Sequence, residues 1–207
     1  KELSAQKNYL DGRGVETIYI GGGTPSLVEP AQIADLLDHV AGLWDCGNVE
    51  EITLEANPDD LTPDYLRRLS KTAVGRLRIG IQSFRDRDLR FMWRRHDAET
   101  AIGAFRRARE AGFSNISIDL IYGLPELSAA EWEGNIRKAI ELGPEHISAY
   151  HLTIEPGTPL HRRYQKGGVV PVEENMSEEH FRILHDTLTE NGYEHYEISN
   201  FALPGYR

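Results

Sequence analysis

The run Ile18-Tyr19-Ile20-Gly21-Gly22-Gly23-Thr24-Pro25 decides how this chain is read. Its first three residues are β-branched or aromatic and predict a short buried strand. The glycines let the backbone turn sharply and let a ligand lie directly against main-chain N–H and C=O groups. Pro30 opens an amphipathic helix over 31–43, with Ile33, Leu36, Leu37, Val40 and Leu43 as its apolar positions. Strand, bend and helix make one βα unit. A plain βα connection needs such a bend as well, so its meaning depends on what recurs after it.

The unit does recur. Residues 1–11 suit a helix, which Gly12-Arg13-Gly14 breaks. Glu51-Ile52-Thr53-Leu54-Glu55 is a strand ending on a carboxylate, and Ala56-Asn57-Pro58-Asp59-Asp60 is turn chemistry. Thr62 as N-cap and Pro63 at the first position start a helix carrying Leu66 and Leu69. Arg76 to Ile81 alternates as a strand and runs into Gln82-Ser83-Phe84. A helix over 97–111 buries Ala101, Ile102, Phe105 and Ala108 and stops at Gly112. Ile116 to Ile121 is a strand, and Ser128 with Glu131 forms a capping box for a helix ending at Gly143-Pro144. His146 to Thr153 is a further strand. It is followed by a polar loop with Gly167-Gly168, a helix over 177–191, and one strand from Tyr193 to Phe201.

Strand ends near 20, 54, 81, 120 and 153 are one βα unit apart, which implies a parallel sheet. The fold class is α/β, with a complete or partial βα barrel preferred to an open doubly wound sheet. Residues 1–160 form the core on this reading and 161–207 a C-terminal extension of the same core. In either architecture ligands gather at the C-terminal strand ends.

Composition bounds the function. The chain has 207 residues, 40% hydrophobic and 27% charged, the make-up of an ordinary globular protein. Its formal charge of −10 argues against a nucleic-acid partner, whose affinity comes from Lys and Arg neutralising phosphates. No apolar run approaches the ~20 residues of a membrane span. The single cysteine, Cys46, rules out an internal disulfide and fits a reducing, cytoplasmic compartment. Arg85, Arg87, Arg90, Arg94 and Arg95 cluster as a mostly solvated helix face, from which one arginine can meet a ligand carboxylate. The start at Lys1 and the end at Tyr206-Arg207 suggest a fragment.

The strand ends carry Gly21-Gly22-Gly23-Thr24, Glu55, Gln82-Ser83, Asp119, His151 and Glu155. Carboxylates and an amide beside a glycine bend suit a ligand with an ammonium group, hydroxyls and a flat ring. Each residue also has a structural use: Glu55 can cap the next turn, Gln82 can bridge strands, and Asp119 can satisfy loop amides. No lysine stands at a strand end, which argues against Schiff-base chemistry. The histidines lack metal-site spacing, and His180 and His185 are assigned to a helix surface. No Gly-x-Ser-x-Gly elbow is present.

Five ordered motifs then carry a resemblance. Tyr19-Ile20-Gly21-Gly22-Gly23-Thr24-Pro25-Ser26, Glu55-Ala56-Asn57-Pro58, Gly80-Ile81-Gln82-Ser83-Phe84, Asp119 to Pro125 and Tyr196 to Ala202 together resemble the radical S-adenosylmethionine proteins of the HemN/HemW group. Ile147 to Glu155 and the Tyr-Glu-Ile-Ser-Asn-Phe-Ala motif look more like the HemW branch than the coproporphyrinogen III oxidase branch. The resemblance implies a partial (β/α) barrel of the radical SAM type, here lacking the first strand and the cluster loop. It implies that Gly22, Gly23 and Thr24 hold the methionyl part of S-adenosylmethionine. Glu55, Gln82 and Asp119 would contact its methionyl or ribose portions, and Arg94 its carboxylate.

The same resemblance implies a [4Fe–4S] cluster held by a Cys-x-x-x-Cys-x-x-Cys loop in the complete protein, haem or porphyrin as ligand, and a haem-acceptor protein as partner. No such loop is present here, and Cys46 lies after the first strand. The implied task is haem delivery, with oxygen-independent coproporphyrinogen III oxidation as the alternative.

Overall fold

A computed structural model describes all residues, 1–207. The chain divides into two compact units, Lys1–Gly80 with Thr100–Ile116, and Ile81–Glu99 with Ser117–Arg207. A seven-stranded sheet in the order β1-β2-β3-β4-β5-β7-β6 is built from β1 (Thr17–Ile20), β2 (Glu51–Ala56), β3 (Arg76–Gln82), β4 (Asn115–Tyr122), β5 (His146–His151), β6 (Glu194–Glu197) and β7 (Asn200–Ala202).

In the first unit β1 pairs with β2 and β2 with β3, all parallel, bringing Glu55 opposite Arg78. Alternation along β3 buries Leu77 and Ile79 completely and leaves Arg76 and Arg78 on the other face, half-buried. Helix α1 is limited to Glu2–Ala5, shorter than the helix-compatible stretch 1–11, because the following residues form turns. Pro30 opens α2 (Pro30–Ala41), which buries Ile33 and Leu37. The Thr62 hydroxyl accepts from the Tyr65 amide at 3.1 Å to cap α3 (Pro63–Leu69).

In the second unit β4 and β5 are parallel, with Asp119 opposite Ser148. The C-terminal stretch departs from the expected single strand over 193–201. It turns back at Ile198-Ser199, so β6 and β7 form a bulged antiparallel pair and β7 runs antiparallel to β5. The helix face read from the arginine cluster is α4 (Asp86–Phe91), which ends before Arg94 and Arg95. One helix departs from expectation: α7 (Pro159–Gln165) lies within the expected polar loop and buries no residue, so it leaves no strong apolar periodicity. Between them in sequence lie α5 (Ala98–Glu110) and α6 (Ala129–Leu142), the latter started by the Ser128/Glu131 capping box and closed by Gly143 at φ +69°.

Helix α8 (Glu174–Glu190) packs on α6, where the fully buried Trp132 donates its indole N–H to the His180 carbonyl at 2.9 Å. His180 is itself fully buried, against the surface role expected for it. The helix turns that face inward, with Leu184, Thr187 and Leu188. No helix is long and apolar enough to cross a membrane.

Candidate functional site

In the first unit the glycine bend is held by β2. Glu55 accepts the Tyr19 phenol on Oε1 at 2.5 Å and the Gly22 amide on Oε2 at 3.0 Å. Arg78 Nη1 donates to the same phenol at 3.0 Å, so Arg78, Tyr19, Glu55 and Gly22 form one hydrogen-bonded chain. The Tyr19 phenol is pushed up to about 12, first by burial and then by its bond to the Glu55 carboxylate, with Arg78 opposing. A Cβ on Gly21 would fall 2.5 Å from the Tyr19 ring and 3.0 Å from the Glu55 carboxyl carbon, so only glycine permits this approach. Gly22 and Gly23 have φ +84° and +65°, and their faces are open.

Thr24 precedes a 3-10 turn over Pro25–Leu27 and makes no side-chain cap, which leaves its hydroxyl for other work. Ser26 ties the bend to the turn after β2: it donates to Asp60 Oδ2 at 2.6 Å and accepts the Asn57 amide at 3.0 Å. Tyr19, Arg78 and Ser26 were not picked out as site residues. The two-residue alternation of β1 and β3 was the available signal, since it puts Tyr19 and Arg78 on the face that carries Glu55.

In the second unit Gln82 ends β3 at φ +72°, a left-handed conformation uncommon for a residue with a side chain. Its neighbour Ser83 is fully buried, donates to Asp88 Oδ2 at 2.8 Å and accepts Asn135 Nδ2 at 3.1 Å. Ser83 thus fixes the turn into α4. Arg94 is half-buried, on the loop after α4, with its amide bonded to the Leu89 carbonyl at 2.9 Å. The buried His96 donates from Nε2 to the Ile81 carbonyl at 3.0 Å, clamping the Arg94 loop to the end of β3 beside Gln82.

Asp119 is half-buried three residues before the end of β4, not at its tip. Of the other strand-end residues, His151 bonds Ser177 on α8 at 2.9 Å and packs against Gly123, where a Cβ would sit 2.4 Å from its Nε2. Glu155 is exposed and only its carbonyl is engaged, by Thr158. The arginine cluster is more engaged than a solvated face would be: Arg85 pairs with Asp88 and Glu131, and Arg87 with Glu126.

The model of the Radical SAM superfamily matches residues 2–139. The chain belongs to the radical SAM superfamily. Among its relatives the heme chaperone HemW of Escherichia coli K12 is 40% identical over 206 residues, all of this chain and 53% of its own length. The heme chaperone HemW of Lactococcus lactis is 38% identical over 192 residues, 93% of this chain and 51% of its own. The chain therefore spans about half the length of the curated relatives it matches. The crystal structure of Escherichia coli coproporphyrinogen III oxidase, HemN, superposes with a TM-score of 0.84 at 26% identity, over 99% of this chain and 47% of that one. The fold of the chain is the partial βα barrel of the radical SAM type.

Radical SAM membership implies S-adenosylmethionine and a [4Fe–4S] cluster. The residues present do not fit the cluster, which takes about four thiolate or ligand donors. Cys46 is the only thiol, and no group of three or more His, Cys, Asp and Glu side chains is placed to hold a metal. They do fit a polar, ammonium-bearing ligand at the bend: two open glycines and a carboxylate fixed from two sides stand together there.

Proposed function

We propose that the chain is the S-adenosylmethionine-binding core of a cytoplasmic haem-delivering protein of the HemW kind. The observation that carries this is 40% identity to a heme chaperone along the entire chain. The crystallised oxidase reaches only 26% over nearly the same span. Haem or a porphyrin is the proposed cargo and a haem-acceptor protein the proposed recipient. Residues 1–160 are proposed as the core and 161–207 as its extension, which the buried Trp132–His180 bond between α6 and α8 supports.

Gly22, Gly23, Thr24 and Glu55 are proposed to receive the methionyl end of S-adenosylmethionine, backbone polar groups and a carboxylate being matched to an ammonium. Gln82 and Asp119 are proposed for the methionyl or ribose portions and Arg94 for the carboxylate.

Two experiments test the reading. The complete, reconstituted protein is incubated with coproporphyrinogen III, S-adenosylmethionine and reductant without oxygen, and haem transfer to an apo-acceptor is followed in parallel. Transfer without vinyl product is expected, and stoichiometric vinyl product overturns the carrier. S-adenosylmethionine is then titrated against wild type, Gln82→Ala and Asp119→Ala. Weaker binding in the variants is expected, and unchanged affinity in both overturns the assignment.

A further inference from the structure

Helix α7 buries no residue, yet both of its ends are finished. The Thr158 hydroxyl caps its start by accepting the His161 amide at 3.1 Å. At its close Gly167 turns left-handed at φ +70°, its amide reaches the Tyr164 carbonyl at 2.9 Å, and the Gly168 amide reaches the Arg163 carbonyl at 2.9 Å. The chain leaves this cap as an apolar strap, Val169-Val170-Pro171-Val172.

Strap, α4 and the turn after β4 enclose a cleft of about 550 Å³ within the second unit, a size that suits a small organic molecule. Its wall is made by Phe91, Leu124, Pro125, Val169, Val172 and Met176. Leu124 and Pro125 follow the C-terminal end of β4, the end at which ligands of such sheets gather.

The charges around the cleft are answered, save one on each side. Arg87 pairs with Glu126, and Asp88 with Arg85 at 2.9 Å. Glu173 is exposed to water, which meets its need. Arg163 is half-buried, with its guanidinium 5.2 Å from the centre of the Phe91 ring, and it meets no carboxylate. A cation laid on a ring beside an apolar wall, partly withdrawn from water, calls for an anion. The matching ligand is therefore a large apolar body that bears a carboxylate.

We propose that this cleft takes a porphyrin, with the macrocycle against Phe91, Leu124, Val169 and Met176 and one propionate on Arg163. The assignment rests on the cargo proposed above and adds where that cargo sits. The adaptable thioether of Met176 suits a broad flat surface.

The test is a fluorescence titration of the complete protein with metal-free protoporphyrin IX and with its uncharged dimethyl ester. Wild type should bind the free acid about tenfold more tightly than the ester, the worth of one charge-assisted hydrogen bond. Arg163→Leu should lose that factor for the acid and leave the ester unchanged, and Arg163→Lys should keep part of it. Val170, 77% exposed on the strap, can be changed without touching the core, and Val170→Glu should weaken acid and ester alike. Unchanged thermal melts control for folding.

Wild-type affinity for the acid in Arg163→Leu overturns the cleft and leaves the cargo reading standing. An equal loss of acid and ester in Arg163→Leu overturns the propionate contact, and unchanged binding in Val170→Glu overturns the seat of the macrocycle. No saturable porphyrin binding by wild type overturns both the cleft and the cargo.

Discussion

The Tyr19 phenol and the Glu55 carboxylate meet at 2.5 Å, and the second oxygen of Glu55 holds the Gly22 amide at 3.0 Å. A side chain from β2 thus sets the conformation of the bend that follows β1. Tyr19→Phe removes both the bond to Glu55 and the one accepted from Arg78, and should cost about 1–2 kcal/mol in urea unfolding, since water can replace each partner. In the complete protein Glu55→Gln should weaken S-adenosylmethionine about tenfold or more, since a charged hydrogen bond contributes about 1.5–3 kcal/mol. Calorimetric titration measures it, and wild-type affinity would remove Glu55 from the site.

The glycines of the bend should not be equivalent. Gly22→Ala and Gly23→Ala meet no neighbouring atom and should each cost only the left-handed backbone penalty, about 1–2 kcal/mol. Gly21→Ala places its Cβ 2.5 Å from the Tyr19 ring and must swing the phenol off Glu55. A double-mutant cycle with Tyr19→Phe should therefore be strongly non-additive for Gly21→Ala and close to additive for Gly23→Ala.

Helix α6 depends on its cap. The Glu131 carboxylate takes the Ser128 amide at 2.9 Å and hydroxyl at 2.7 Å, and these bonds, the amide first, hold its pKa below the ordinary value. Ser128→Ala should cost about 1 kcal/mol. The native state binds the Glu131 proton less readily than the unfolded chain. The contribution is therefore present above the ordinary carboxylate range and fades as pH falls through the lowered native value. Denaturant midpoints of wild type and Ser128→Ala should draw closer in acid without meeting, because the Glu131 amide bond to the Ser128 hydroxyl does not titrate.

His180 predicts a second pH dependence. Burial holds its imidazole below the usual value of 6.5, and neither ring nitrogen makes a well-formed hydrogen bond. Well above pH 6.5 both states are neutral and the residue adds no slope. As pH falls through that value the unfolded chain takes up the proton more readily than the native state, so stability falls with pH, by at most about 1.4 kcal/mol per pH unit. A melting series from pH 7.5 to 5 should show this slope in wild type and its loss in His180→Leu.

Elements with strong local chemistry were legible in the sequence. The glycine bend, the Thr62 and Ser128 caps and the alternation of Arg76 to Ile81 each encode their own structure, and all appear where expected. What failed was tertiary. His180 lies on a helix whose polar and apolar residues alternate enough to suggest exposure, and only its packing on Trp132 shows that it faces inward. The stretch over 193–201 has strand propensity throughout, so the reversal at Ile198-Ser199 depends on pairing with β5. At the site, Glu55 was found by position but not its partner Tyr19, because a tyrosine in an apolar run reads as core until the register of β1 on β2 is known.

The sheet begins and finishes on very different strands. β6 is short, is interrupted between His195 and Glu197, and bears Glu194 and Glu197. β1 is uncharged, carries two isoleucines and a tyrosine, and has no such interruption. Charge and irregularity are how proteins deter intermolecular strand addition, so aggregation of the isolated chain should begin at Thr17–Ile20. A lysine in place of the exposed Thr17 is then the single change expected to keep concentrated samples in solution.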